Sequence, residues 1–399
     1  MDGGSSNLLE VPAGNLQPGM YVAELDRPWL DTPFAVQGFY IRDRSDVDVV
    51  AKHCAYVFVD PRRHNRDFQK AASDSGTKAA RKDATSLKRE IPMAKMQLES
   101  ASEAMRKVFE KLRSGRHLDL KVMQQVIDPL VSSVLRNSEA LAALVRMKAK
   151  GDYLFNHSIA NAVWSSVLGR QLGLGRDQLK RLALGAAVVD IGMTRLDDSM
   201  TSSTAEFTVA QRELVRGHVQ MGVDILSRTE GTHSDVKAIV LAHHERFDGS
   251  GYPAGVSGMD IPLFARIVGL VDSYDAMIST RPHVGARSSF EAIQELADLK
   301  GGLFQAELVE QFMQAIGLFP TGSVIELNTG EVGVVVAQNA LRRLRPKVVV
   351  ILDQDKQRHA KLVVVDLGKY GSENAGSDLW INRELEVGAY GIRPDEYFL

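Results

Sequence analysis

Histidines and aspartates occupy the apolar faces of several predicted helices in the middle of this chain. Residues 150–317 are dominated by helical periodicity, with apolar residues returning every three or four positions. His218 falls on the same helix face as Met221, and Asp190 ends an apolar run. Six such residues interrupt faces where a core would take aliphatic side chains: His157, Asp190, His218, His243, His244 and Asp272.

These six residues constrain the fold because burying a carboxylate without a partner is costly. A single core histidine or aspartate is usually structural and is satisfied by a backbone group or a buried arginine. Six of them together are harder to explain in this way, since neutral imidazole and carboxylate are the ligands of Zn, Fe and Mn sites. The pattern therefore predicts a helical bundle that projects metal ligands inward from several helices.

A glycine-rich segment begins at the histidine pair. Residues 243–253 read His-His-Glu-Arg-Phe-Asp-Gly-Ser-Gly-Tyr-Pro. Two glycines, an aspartate and a proline predict a tight loop with close backbone approach. Taken alone, the glycines indicate only a turn. Beside a pair of candidate metal ligands, they favour a loop that contacts a substrate.

The same segment resembles the HD-GYP family, which consists of bacterial metal-dependent phosphodiesterases that cleave cyclic di-GMP. The resemblance continues through Gly-Met-Asp-Ile-Pro at 258–262, Ala-Arg-Ile at 265–267 and Val-Asp-Ser-Tyr-Asp-Ala at 271–276. In total it covers residues 145–320. Because the motif is long, it is highly specific.

The resemblance implies a helical HD-type metal-dependent phosphohydrolase core. The six residues named above match the family's metal ligands, and Asp190 matches the aspartate that bridges two ions and positions a hydroxide. Two divalent ions are expected, iron or manganese first, with zinc, magnesium and nickel as alternatives. Arg266 and Arg281 either contact phosphate or pair with a carboxylate such as Asp275. The candidate substrate-binding residues are Gly251, Tyr252, Pro253, Arg266 and Arg281.

Three positions depart from the HD-GYP pattern. Val189 precedes Asp190 where the family has its histidine. Met193 stands where a lysine that contacts substrate phosphate is usual, and Tyr153 stands where members with a third ion carry glutamate. One ion site keeps all its protein ligands, whereas the other, which includes His157, loses one of four. We therefore expect weaker binding of the second ion and no third ion.

The implied reaction is hydrolysis of cyclic di-GMP to pGpG, with GMP as a further product, by a hydroxide that bridges two metal ions. The alternative is a catalytically impaired HD-GYP protein that binds cyclic di-GMP, or a GGDEF-type diguanylate cyclase through its GYP loop, without turnover. Val189 and Met193 motivate this alternative. A hydrolase of a different phosphorylated substrate is a third hypothesis.

The rest of the chain predicts a mainly α protein with a small β-rich unit near each end. The N-terminal unit, with Gly-Met-Tyr-Val at 19–22, resembles a domain often found before HD-GYP modules. Two amphipathic helices, at 98–112 and 120–134, pack either on the chain's own core or along a homodimer seam. The expected divisions are a β-rich N-terminal domain (8–62), a basic linker with amphipathic helices (63–145), the HD-GYP helical domain (146–320), a small β subdomain (321–370) and a C-terminal segment (371–399).

Composition excludes several classes of protein. The formal net charge of −2 over 399 residues argues against a nucleic-acid partner. One cysteine, Cys54, rules out an intrachain disulfide and a cysteine-rich zinc site. No apolar run approaches the ~20 residues needed to cross a bilayer, and the first residues lack a signal-peptide pattern. We therefore expect a cytoplasmic protein.

Overall fold

The computed structural model describes residues 8–27, 39–41, 44–61, 83–147, 153–197, 207–279, 285–339, 345–369, 379–386 and 388–398. Twelve α-helices and nine β-strands lie within these ranges. The helices are α1 (Arg44–His53), α2 (Leu87–Arg113), α3 (Leu120–Arg136), α4 (Ser138–Met147), α5 (Tyr153–Gln171), α6 (Arg176–Ala187), α7 (Val209–Arg216), α8 (His218–Ser227), α9 (Ser234–Ala242), α10 (Leu263–Ile278), α11 (Ser289–Asp298) and α12 (Ala306–Ile316). The strands are β1 (Leu9–Pro12), β2 (Tyr21–Leu25), β3 (Phe39–Tyr40), β4 (Tyr56–Val59), β5 (Val324–Leu327), β6 (Val332–Ala337), β7 (Lys347–Leu352), β8 (Arg358–Asp366) and β9 (Ile381–Leu385).

The N-terminal strands form an antiparallel sheet in the order β1-β4-β2-β3. Alternating side chains from this sheet and from α1 enclose a separate small core that includes Val22, Ile41 and Val57. Tyr21 Oη donates to Glu310 Oε1 of α12 at 3.1 Å. The N-terminal sheet is thereby attached to the helical part of the molecule.

The main core is helical and runs from α2 to α12. The apolar stripe of α2, with Leu98, Met105 and Leu112, is buried in it, as is that of α3, with Met123 and Leu130. Both stripes therefore pack on the chain's own core, which is one of the two placements expected for them. The mainly α fold with small β units near both ends is confirmed.

The C-terminal strands form a second antiparallel sheet in the order β8-β7-β6-β5-β9. Its first four strands lie where apolar runs predict them. The fifth, β9, comes from the weakly patterned C-terminal segment, whose sequence Ile-Asn-Arg-Glu-Leu gives no alternating signal. Glu384 of β9 forms a buried ion pair with Arg146 of α4, which holds the sheet against the helices.

A local sequence signal accounts for the start of α7. Thr208 Oγ1 accepts from Gln211 N, and the Gln211 side chain accepts from Thr208 N, so a capping box opens α7. Much of the basic linker, residues 63–82, lies outside the described residues. None of the helices in the described ranges is long and apolar enough to span a bilayer.

Candidate metal centre

The fold brings the six predicted ligands to one place from five stretches of chain. His157 lies on α5, Asp190 in the turn after α6, His218 at the start of α8, the histidine pair after α9, and Asp272 on α10. Within the described residues they form two groups whose ligand atoms lie within 4.8 Å of one another. The groups are Asp190, His218, His243 and His244, and His157, Asp190 and Asp272.

Two histidines of the first group, His218 and His243, point their Nε2 atoms at a common point. His218 Nε2 lies 3.4 Å from His243 Nε2 and 3.3 Å from Asp190 Oδ1. The Nδ1 atom of His218 donates to Val215 O at 2.6 Å, and that of His243 donates to Val240 O at 2.9 Å. Because a neutral imidazole carries one proton, these bonds leave the Nε2 lone pairs free to face a cation.

Burial favours the neutral imidazole at two of the three histidines in this group. Desolvation lowers the pKa of His243 and lowers that of His244 well below the ordinary value of 6.5. Neutral imidazole is the form that binds a metal. The donor set and its protonation therefore fit a divalent ion.

In the second group, a carboxylate from outside the group contacts the ring nitrogen of the histidine that faces away from the other donors. His157 Nε2 lies 2.8 Å from Asp272 Oδ1 and 3.6 Å from Asp190 Oδ2. On its other side, His157 Nδ1 donates to Asp275 Oδ2 at 2.7 Å. Trp164 Nε1 donates to the other oxygen of Asp275 at 3.1 Å. Such a carboxylate fixes the tautomer and orientation of a metal-binding histidine.

Asp275 was missed as a site residue by the sequence analysis, which considered it only as a partner for an arginine. The available signal was its spacing, because Asp272 and Asp275 are three residues apart and share one face of α10. That spacing places both carboxylates on one helix face, and the structure shows that this face meets His157.

Two glycines let the ligand-bearing elements touch. A Cβ atom at Gly192 would lie 1.9 Å from His218 O, and one at Gly269 would lie 2.4 Å from His243 O. Any side chain at either position would displace backbone. The turn after Asp190 is therefore in main-chain contact with α8, and α10 with the end of α9.

The loop after the histidine pair folds over the first group. The Tyr252 ring stacks on His244 with centroids 4.6 Å apart, and the Arg216 guanidinium lies 5.0 Å from the Tyr252 centroid. Glu245 accepts from Ala254 N at 2.7 Å and from Val256 N at 3.0 Å. The loop is thus held by Glu245, the residue after the histidine pair.

Three family descriptions match the chain. They are a domain of unknown function (DUF3391) over residues 8–123, an HD domain over 129–308, and a KOW domain associated with HD domain over 324–372. A cyclic di-GMP phosphodiesterase of Pseudomonas aeruginosa is 31% identical over 377 residues, which cover 91% of this chain and 90% of that protein. This chain belongs to the HD-GYP family.

Other matches cover less of this chain. The cyclic di-GMP phosphodiesterase response regulator RpfG of Xanthomonas campestris is 28% identical over 58% of this chain and 64% of its own length. Among solved structures, an HDG"Y"P protein from Bdellovibrio bacteriovorus matches with a TM-score of 0.48 and 16% identity. That match covers 77% of this chain and 98% of that one.

Two of the three residues that depart from the HD-GYP pattern pack in or against the main hydrophobic core. Val189 is fully buried in the main hydrophobic core, and Met193 packs against the same core. Neither side chain supplies a donor atom or a positive charge. The side chain of Tyr153 lies outside the described residues.

The predicted substrate-binding residues lie in different environments. Gly251 lies against the backbone, since a Cβ there would be 2.4 Å from His244 O. Pro253 follows a cis peptide bond and is exposed. Arg266 of α10 donates to Ile261 O at 2.9 Å and also contacts Gln305. These contacts attach the end of the segment 258–262 to α10. Arg281 lies outside the described residues.

Proposed function

We propose that this chain is a metal-dependent phosphodiesterase that hydrolyses cyclic di-GMP to linear pGpG, with GMP as a further product. The observation that carries the proposal is the position of Asp190, which belongs to both donor groups. Its Oδ1 faces His218 and its Oδ2 faces His157. A carboxylate placed in this way is suited to hold two divalent ions next to each other.

The donor set supports two ions of borderline character, with iron or manganese as the first candidates. Bound divalent ions would acidify a water molecule and polarise a phosphoryl oxygen. The protein's own contribution is to hold the donors at fixed separations and to keep the imidazoles of His243 and His244 neutral. Asp275 and the carbonyls of Val215 and Val240 perform this orienting role.

The loop offers a surface for the nucleotide. Tyr252 stacks on His244, so one face of its ring is covered and the phenol lies beside the ligand cluster. Burial raises the pKa of Tyr252, so its hydroxyl stays protonated and can donate a hydrogen bond. Arg216 beside the ring supplies a positive charge near the site. We propose that Tyr252 and Arg216 contact the substrate.

The test combines metal analysis with product analysis on the full-length chain. Protein purified without oxygen is loaded with Fe(II) or Mn(II), and its digest of cyclic di-GMP is separated by chromatography. Two ions per chain together with pGpG formation support the proposal, and cyclic di-AMP serves as the comparison substrate. Tight binding of cyclic di-GMP without product over hours would contradict it.

That second outcome describes a second candidate function. Val189 and Met193 leave the HD-GYP site without one histidine and one positive charge. A protein so altered would bind cyclic di-GMP, or a GGDEF-type cyclase through residues 243–253, without cleaving it. Isothermal titration with cyclic di-GMP and with a purified GGDEF domain distinguishes this function from hydrolysis.

A further inference from the structure

Asn161 lies inside the second donor group although no part of the ligand pattern includes it. It stands one helical turn after His157 on α5 and is fully buried. Its Nδ2 lies 3.2 Å from His157 Nε2 and 3.0 Å from Asp272 Oδ1. The end of its side chain is therefore next to two of the three donors in this group.

This arrangement cannot persist when the donors bind a cation. His157 Nδ1 lies against the Asp275 carboxylate and Nε2 lies 2.8 Å from Asp272 Oδ1. When Nε2 binds a cation, the ring proton is on Nδ1 and Nε2 offers a single lone pair. That lone pair can accept from Asn161 or bind a metal ion, but it cannot do both. An ion at His157 therefore removes one of the two hydrogen bonds that orient the Asn161 amide.

The other end of the amide lacks a partner. Asn161 Oδ1 is buried and accepts no hydrogen bond from any of the residues that the structure describes. The two ends of the amide are nearly equal in size, so a half-turn exchanges them without changing the packing. After that turn, Oδ1 would lie about where Nδ2 lies now, beside His157 and Asp272.

The separations suit a ligand oxygen. Two ligands ~2.1 Å from one ion at right angles are about 3.0 Å apart, and a tetrahedral pair is slightly farther apart. The distances from the amide end to the two neighbouring donors, 3.2 Å and 3.0 Å, fall in this range. An amide oxygen is also a normal ligand for hard divalent ions.

We propose that Asn161 Oδ1 is the fourth protein ligand of the ion held by His157, Asp190 and Asp272. It compensates for the histidine that the family pattern places at Val189. The inference rests on the proposed function only in taking this centre to bind two ions, and it requires no turnover.

An alternative role for Asn161 is to donate its N–H to Asp272 without touching the ion. The two roles predict opposite effects of Asn161→Asp. Aspartate keeps an oxygen at the same place, so direct ligation predicts a second ion that binds at least as tightly as in the wild type. If Asn161 only orients Asp272, the second ion should bind more weakly in Asn161→Asp, because the N–H donor is lost and two carboxylates would then face each other.

The experiment measures Mn(II) bound per chain after equilibrium dialysis, with elemental analysis, on the full-length protein. The signal of a spin-coupled manganese pair in electron paramagnetic resonance is the second readout. We expect two ions in the wild type and in Asn161→Asp. In Asn161→Leu we expect one ion at the same free Mn(II), with the second bound at least tenfold more weakly. Ser165→Ala, at another buried polar position of α5, is the matched control and should bind as the wild type does.

Three outcomes overturn the proposal. They are that Asn161→Leu binds two ions at wild-type affinity, that Asn161→Asp loses the coupled signal, or that the wild type binds a single ion. If Asn161→Leu fails to fold, the result for Asn161→Asp still decides between the two roles. If two ions bind as expected and cyclic di-GMP is not cleaved, the ligand assignment stands while the proposed function fails.

Discussion

His157 Nδ1 lies 2.7 Å from Asp275 Oδ2, and that carboxylate is fixed by Trp164. Asp275→Asn removes the charge that holds the His157 tautomer while keeping the size of the side chain. We expect metal affinity to fall by about 10- to 100-fold, because residues behind a ligand histidine contribute to that extent. Mn(II) binding measured by competition with a chelator tests this. The exposed Asp298→Asn is the control, and equal affinities in both variants would contradict the prediction.

Asp190 is shared by both donor groups, so Asp190→Ala should affect both ions together. We expect loss of bound metal and a fall in kcat on the order of a thousandfold. Elemental analysis and a cleavage assay on the same preparation provide the measurement. Asp224→Ala, at an exposed position on α8, should bind metal normally. Loss of only one ion in Asp190→Ala would show that the carboxylate does not bridge.

Tyr252 should contribute to substrate binding through its hydroxyl, because His244 and Arg216 lie against its ring. A hydrogen bond to a charged group is worth ~1.5–3 kcal/mol, so Tyr252→Phe should raise KM by roughly 10- to 100-fold. Tyr252→Ala should raise KM at least as much. Steady-state kinetics with cyclic di-GMP measure both variants. An unchanged KM in Tyr252→Phe would contradict the role of the hydroxyl.

Restoring histidine at Val189 tests how far its loss weakens the second ion. If Asn161 supplies the fourth ligand, Val189→His should change Mn(II) occupancy at low free metal little, and the larger side chain in the core should cost about 1–3 kcal/mol of stability. Val188→His is the matched control, because Val188 is adjacent and equally buried. A rise in occupancy in Val189→His but not in Val188→His would mean that the second ion lacks a fourth ligand and would contradict the role of Asn161.

Acid should destabilise the metal-free protein from about pH 6.5 downward. Burial holds the pKa of His243 and of His244 below the ordinary value of 6.5 in the folded chain. Below that pH the unfolded chain binds more protons than the folded one, so the free energy of unfolding falls as pH falls. Thermal unfolding at pH 8, 7, 6 and 5 measures the slope. His244→Gln should reduce it, and the exposed His117→Gln should leave it unchanged.

The sequence predicted the helical core and the meeting of six candidate ligands, because polar residues on apolar helix faces need a common reason to be buried. Residues that act through another side chain were harder to identify. Asp275 and Asn161 are ordinary polar residues in the sequence, and their roles depend on which rotamer brings them to His157. Their spacing on α10 and α5 indicates which helix face they occupy but does not identify His157 as the residue that they contact.

Strands with a continuous apolar run were predicted from the sequence. Strand β9 was missed, because pairing with a neighbouring strand stabilises it and its own sequence has no such run. Strand β9 is held by β5 and by the ion pair between Glu384 and Arg146, residues that are far apart in the chain. Arg266 is a second case, since only the folded loop shows that it binds Ile261 O and Gln305. Contacts of this kind are set by tertiary structure and leave no local pattern.

The absence of a side chain at Gly192 has a kinetic consequence. The main chain there touches His218 O, so the distance between the Asp190 carboxylate and the His218 imidazole is set largely by backbone rather than by rotamer choice. A cation arriving at this pair meets donors already in position and need not wait for the protein to rearrange. Uptake of the first ion should therefore be limited by how fast it sheds its own water.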